Sequence, residues 1–164
     1  MRESSLITLA AADAQATRAI GALLARALSV REAAFVIAIE GELGAGKTTL
    51  VGGLLNALGI QGHVRSPTYT LIEPYVLSDR AIYHLDLYRL TDPREVEALG
   101  LRDLLEPGAV FLIEWPERGG GLVPPFDLRV LITYAPDAGR HVQLHGASTA
   151  GESVVQSIAA TEKP

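Results

Sequence analysis

Residues Gly41 to Thr48 read GELGAGKT, a G-x-x-x-x-G-K-T spacing whose chemistry is the holding of phosphate. Glycines let the backbone curl until successive N–H groups face an anion, and a helix opening at the lysine adds its positive end. In that arrangement Lys47 reaches the β- and γ-phosphates of a nucleotide, and the Thr48 hydroxyl binds Mg2+. A glycine-rich turn that matches by chance is the competing explanation, and the flanking residues oppose it. FVIAI, Phe35 to Ile39, precedes the motif as a strand-like run. Leu50, Val51, Leu54, Leu55 and Leu58 follow it on one face of a helix that stops near Gly59.

Two carboxylates end hydrophobic strands and complete a possible metal site. Asp86 lies within YHLDLY and Glu114 follows FLI. At the carboxyl ends of parallel strands both face the crevice that holds the phosphate loop. Acids so placed hold Mg2+ or orient an attacking water. Taken singly, an acid at a strand end is more often solvated or capping, and a P-loop in the same chain reverses that weighting. The segment Ser66 to Thr70, SPTYT, is either a switch-like loop sensing the γ-phosphate or a hydroxyl-rich turn. His84 is given no role, because a lone strand histidine is more often packed or hydrogen-bonded than catalytic. Trp115 covers the site, meets a partner or closes the core edge, and Arg89, Arg118 and Arg140 are phosphate ligands or solvated charges.

These residues need a sheet to position them. The unbroken apolar runs FVIAI and AVFLI (Ala109 to Ile113) predict strands covered on both faces, hence a parallel sheet. AIYHLDLY, Ala81 to Tyr88, predicts a third strand, and Leu6 to Leu9 a short first one. Ala16, Ile20, Leu23, Leu24, Ala27 and Leu28 recur at helical spacing after Asp13, an expected N-cap. Gly52 and Gly53 are expected to weaken the helix after the P-loop, by about 1 kcal/mol each relative to alanine. Gln61 to Pro74 reads as loop with a short strand, and Asp92 to Glu106 as two short helices divided at Gly100. Leu128 to Tyr134 and His141 to His145 predict two further strands about a turn at Pro136 to Gly139. Residues 151–164 form a terminal helix or a tail. No linker divides the chain, so residues 1–164 are expected to be one domain.

Composition narrows the class of partner. With 48% hydrophobic and 20% charged residues the chain should fold around a core, and a net charge of −5 argues against a stand-alone nucleic-acid binder. The absence of cysteine removes thiolate catalysis and zinc-thiolate sites and suits a reducing compartment. Glu3 and Asp13 interrupt any signal-like pattern, no stretch approaches membrane-spanning length, and cytosol is the expected location.

GELGAGKTTL, SPTYTLIEPY, YHLDLYRL, EVEALGLRDLL and LIEWPE occur in this order, and the chain resembles the TsaE family, also called YjeE. The likeness spans roughly Gly41 to Glu117, with weaker matches at Gln15 to Thr17 and Gly139-Arg140. The resemblance implies a three-layer α/β P-loop NTPase fold with a mainly parallel sheet and extra C-terminal antiparallel strands. It also implies Mg-ATP as substrate and action on the TsaD and TsaB proteins, which carry threonylcarbamoyl transfer to adenosine 37 of tRNA; contact with tRNA is then indirect. By position, Gly41 and Gly44, Ala45, Gly46, Lys47, Thr48 and Thr49 wrap the phosphates. Thr48 and Glu114 approach Mg2+, and Asp86 is the other essential acid, as metal ligand or water-orienting group. Thr68 of the SPTYT loop, Thr17 and Arg140 are further nucleotide contacts. A P-loop small-molecule kinase and a nucleotide-dependent docking module without turnover are the alternatives.

Overall fold

The computed structural model describes residues 5–29 and 32–162. Glu3 and the last two residues of the 151–164 segment lie outside these. The described strands are β1 (Leu6–Ala11), β2 (Phe35–Gly41), β3 (Ile72–Val76), β4 (Ala81–Asp86), β5 (Val110–Glu114), β6 (Leu128–Tyr134) and β7 (Arg140–Gly146). They form one seven-stranded sheet in the order β1-β7-β6-β2-β5-β4-β3. The central strands β6, β2, β5 and β4 run parallel, while β1, β7 and β3 pair antiparallel at the two flanks. The helices are α1 (Ala14–Ala27), α2 (Lys47–Ala57), α3 (Glu95–Ala98) and α4 (Thr149–Thr161). The fold is the mixed α/β P-loop arrangement expected from the motif and its flanking strands.

Strand β2 shows why FVIAI lacks polar alternation. Phe35, Ile37 and Ile39 join a core with Leu24 of α1, Leu50 and Leu54 of α2 and Val155 of α4. Val36 points the other way, into a second core with Leu85, Phe111 and Ile113 that Val96 of α3 closes. Each large side chain so buried contributes about 1.5–3 kcal/mol relative to an exposed one. Asp127 couples this centre to the C-terminus: its Oδ2 accepts from the Val36 N–H at 2.9 Å, and its Oδ1 accepts from Ser148 at 2.6 Å. Ser148 in turn caps α4 by accepting from the Gly151 N–H, which selects a docked helix over a tail for residues 149–161.

Helix α1 begins at Asp13, whose carboxylate accepts from the Ala16 N–H. Between Ile60 and Leu71 the chain is loop and turn, and the short strand foreseen there is β3, which starts at Ile72 and holds Pro74. An edge strand tolerates a residue without an N–H donor. Residues 92–106 contain the four-residue α3 and a 3-10 turn at Leu101–Leu104, divided at Gly100 with φ 65°.

The two α2 glycines differ. A Cβ at Gly53 would stand 2.1 Å from the Arg18 carbonyl oxygen of α1, and one at Gly21 would meet the Leu50 carbonyl oxygen at 2.1 Å. Glycine on each helix therefore lets α1 and α2 approach backbone to backbone. A Cβ at Gly52 finds only Val64, at 3.8 Å. We expect Gly53→Ala to destabilise the protein by about 3 kcal/mol despite alanine's better helix propensity. Gly52→Ala should be neutral or stabilising by up to about 1 kcal/mol. Urea unfolding of both variants checks the contrast; equal effects would contradict it.

Candidate functional site

The P-loop leaves β2 at Gly41, with φ 152°, and enters α2 through Gly46, whose left-handed φ of 111° makes it the helix N-cap. Gly44 is also left-handed, at φ 79°. These conformations are open to glycine and costly for other residues, and the turn between them is closed by the Ala45 N–H, which donates to the Glu42 carbonyl at 3.0 Å. Lys47 is 5% exposed. Its ammonium donates to the carbonyls of Gly41 at 2.7 Å and Glu42 at 2.8 Å, and lies 4.3 Å from the centre of the Trp115 ring. Burial pushes its pKa below the usual lysine value, while Glu114, Asp86 and Glu117 pull it back up.

Asp86 and Glu114 are the last residues of neighbouring parallel strands and pair directly in register. Both are buried, at 6% and 2% exposure. The Thr48 hydroxyl lies 2.9 Å from Glu114 Oε1 and 3.1 Å from Oε2, so the first α2 turn meets the end of β5. Asp86 faces the SPTYT loop: its Oδ2 accepts from the Ser66 hydroxyl, and its Oδ1 accepts from the Tyr88 N–H at 2.9 Å. Lys47, Thr48, Asp86 and Glu114, with Ser66 and Thr68, line a cleft of about 420 Å³ beside the loop. Thr68 donates weakly to the Ser66 carbonyl, at 3.5 Å.

A second hollow of about 240 Å³ lies on the other side of the loop and shares Gly44, Gly46 and Thr49 with the first. Thr17, Ala45 and Arg140 line it. Thr17 is 2% exposed, and its hydroxyl donates to the Asp13 carbonyl. Arg140 stacks on Tyr134 and donates to the carbonyls of Ala45 at 2.9 Å and Gly44 at 3.4 Å, bracing the loop from outside. Gly41 lies apart from both hollows, beneath the loop and bonded to Lys47.

Sequence reasoning passed over His84. Its ring is fully buried, and Nε2 stands 2.6 Å from Glu114 Oε2. The other ring nitrogen, Nδ1, has no hydrogen-bond partner. A proton on Nε2 therefore serves the carboxylate, and a bare Nδ1 avoids a buried unpaired donor. The signal was the period of two in YHLDLY, which puts His84 and Asp86 on one strand face. Trp115 follows Glu114 in a left-handed conformation, φ 56°, which is strained for a bulky residue. Its ring packs on Tyr88 at 4.9 Å and lines the cleft.

The donor set suits a hard cation. Among the described residues no group of three or more His, Cys, Asp or Glu side chains could hold a metal ion by itself. Mg2+ rarely needs such a cage: it is held by one or two carboxylates or a hydroxyl, with substrate phosphates and water completing six oxygens. Thr48, Glu114 and Asp86 are oxygen donors of that kind beside a phosphate-shaped loop. Among the described residues no helix is long and apolar enough to cross a membrane.

The family model described as threonylcarbamoyl adenosine biosynthesis protein TsaE matches residues 11–142. The chain is 45% identical to the tRNA threonylcarbamoyladenosine biosynthesis protein TsaE of Haemophilus influenzae, covering 77% of this chain and 80% of the relative. It is 44% identical to the Nostoc protein of the same name, over 81% and 82% of the two chains, and 35% identical to that of Bacillus subtilis, over 75% and 77%. The crystal structure of Bacillus subtilis YdiB superposes with a TM-score of 0.81 at 26% identity, covering 99% of this chain and all of that one. The matched span holds the P-loop, the SPTYT loop and both strand-end acids, and on these likenesses the chain belongs to the TsaE family of tRNA threonylcarbamoyladenosine biosynthesis.

Proposed function

We propose that this chain is a single-domain, cytoplasmic, Mg-dependent ATP hydrolase that supports threonylcarbamoylation of adenosine 37 in tRNA by acting on the TsaD–TsaB complex. The observation that carries the reading is the 2.9 Å approach of the Thr48 hydroxyl to Glu114 directly behind the P-loop, with Asp86 paired to Glu114 on the next strand. A glycine loop alone would bind phosphate. These added oxygens are what hydrolysis requires.

In this mechanism the loop N–H groups from Gly44 to Thr49 cradle the phosphates, and Lys47 gives up its two carbonyl partners for the β- and γ-phosphates. Thr48 and Glu114 would hold Mg2+, which when bound would neutralise charge on the phosphate oxygens. Asp86, fixed by Ser66 and the Tyr88 N–H, orients the attacking water, which divides the two acids between nucleophile and metal sides. Thr17 and Arg140 line the hollow left for the nucleoside. The acidic net charge suits docking on a protein complex, with tRNA engaged only through it. The deciding assay measures ADP and phosphate release, with and without Mg2+, alone and with TsaB, TsaD and tRNA. Phosphate release that needs Mg2+ and rises with the complex is the expected result. Transfer of phosphate to a small acceptor would establish the kinase instead, and nucleotide binding without turnover a docking module.

His84 is expected to act through Glu114. Removing its donor in His84→Phe should raise the Mg2+ concentration for half-maximal turnover by roughly 10- to 100-fold, the usual scale for a partner behind a metal ligand. His84→Gln, which retains an N–H, should recover part of that loss. An unchanged Mg2+ titration for His84→Phe would contradict this role.

A further inference from the structure

Of the residues lining the cleft beside the P-loop, two carry positive charge, Lys47 and Arg89. Lys47 donates to the loop carbonyls of Gly41 and Glu42. Arg89 has no hydrogen bond or ion pair among the described residues; its guanidinium rests 4.7 Å from the centre of the Tyr69 ring. Tyr69 is itself 84% exposed, on the SPTYT loop whose Ser66 holds Asp86. The other two arginines raised by the sequence are placed differently. Arg140 is bonded to carbonyls behind the loop, and Arg118 lies against Tyr88 and Trp115 without lining the cleft.

The turn that carries Arg89 is rigid where its tip is free. Asp86 accepts from the Tyr88 N–H, the Leu87 N–H donates to the Glu114 carbonyl at 3.1 Å, and Tyr88 packs on Trp115. Each anchor belongs to the candidate site, so the turn holds Arg89 on the lining of the same cleft as Lys47, Thr48, Asp86 and Glu114. A guanidinium stacked on an exposed ring is weakly held, whereas a planar fork of donors binds phosphate oxygens in pairs.

We propose that Arg89 is the arginine of phosphoryl transfer in this site, supplied in cis and resting on Tyr69 until ATP binds. The proposal rests on the ATPase reading above. As the water oxygen bonds to the γ-phosphorus, the bond from that phosphorus to the β–γ bridging oxygen breaks. ADP leaves with the electron pair, and a water proton passes to the released phosphate or to solvent. Negative charge grows on the bridging oxygen and the transferring group, and Arg89 neutralises it opposite Lys47.

The test uses the full chain, alone and with TsaB and TsaD, as wild type, Arg89→Ala, Arg89→Lys and Arg118→Ala. Three quantities are read: single-turnover ATP hydrolysis, the affinity for ADP, and the affinity for ADP with aluminium fluoride, a mimic of the transferring phosphoryl group. Arg89→Ala should slow hydrolysis by roughly 10²- to 10³-fold and lose a similar factor in affinity for the mimic, with ADP affinity nearly unchanged. Arg89→Lys should recover only a small part, because an ammonium lacks the fork. Arg118→Ala should match wild type. If wild type hydrolyses ATP and Arg89→Ala equals it in rate and mimic affinity, the proposal fails and the ATPase reading stands. An equal loss of ADP and mimic affinity, or an equal loss in Arg118→Ala, also overturns it. If wild type releases no phosphate under any of these conditions, both readings fail.

Discussion

Lys47→Met is expected to reduce ATP turnover by roughly 10³-fold, the scale on which a positive charge at a transferring phosphoryl group acts. Methionine matches much of the side chain's length and removes only the ammonium, so the P-loop should keep its shape. Lys47 is 5% exposed, and its charge is satisfied by two carbonyls, an aromatic face and the field of Glu114 and Asp86. Burial working against the charged form lowers its pKa, and phosphate oxygens entering the cleft work the other way. The substitution therefore removes a desolvated charge that bound nucleotide would complete. A steady-state phosphate-release assay checks the rate, and a thermal melt checks that the fold survives. A variant that keeps more than a tenth of wild-type turnover would show that Lys47 does not carry the phosphoryl charge.

Glu114→Gln is expected to cost roughly 10²- to 10³-fold in turnover and to weaken the response to added Mg2+. Glu114 is 2% exposed, and its two oxygens are shared between Thr48 and His84. Glutamine has nearly the same shape, yet its amide nitrogen is a donor where the carboxylate had an acceptor. That nitrogen would face either the Thr48 hydroxyl or the His84 Nε2, so the network must also re-orient. Asp86→Asn should likewise lose turnover, but with Mg2+ dependence close to wild type, since in this account Asp86 serves the water. Parallel Mg2+ titrations of the two variants separate the acids. Indistinguishable titrations would contradict the division of roles.

The parts of this site written in local chemistry were legible before the structure. The P-loop spacing, the Asp13 cap, the break at Gly100 and the apolar strands ending in Asp86 and Glu114 depend on residues close in sequence. What was not legible depends on packing between distant segments. Gly53 looked like a weak helix residue, and only its 2.1 Å approach to the Arg18 carbonyl shows that α1 needs the space. His84 carried the strand periodicity, but its partner Glu114 lies thirty residues on, across a strand pair no local pattern specifies. Ser66 belonged to a loop that read equally as a turn, and its bond to Asp86 requires the loop to fold back over β4. Arg89, Arg118 and Arg140 were interchangeable in composition. Tertiary structure separates them into a cleft residue, an outer stacking residue and a brace on the P-loop.

The measurement that bears most directly on the central claim is ATP hydrolysis, followed together with threonylcarbamoyladenosine formation on tRNA, in a reconstituted mixture of this protein with TsaB and TsaD and the other components the modification needs. Wild type should release phosphate in a Mg2+-dependent manner and sustain repeated rounds of modification, while Lys47→Met and Glu114→Gln should fail in both readouts together. Full modification by either variant, or wild-type modification without any ATP consumed by this chain, would contradict the account.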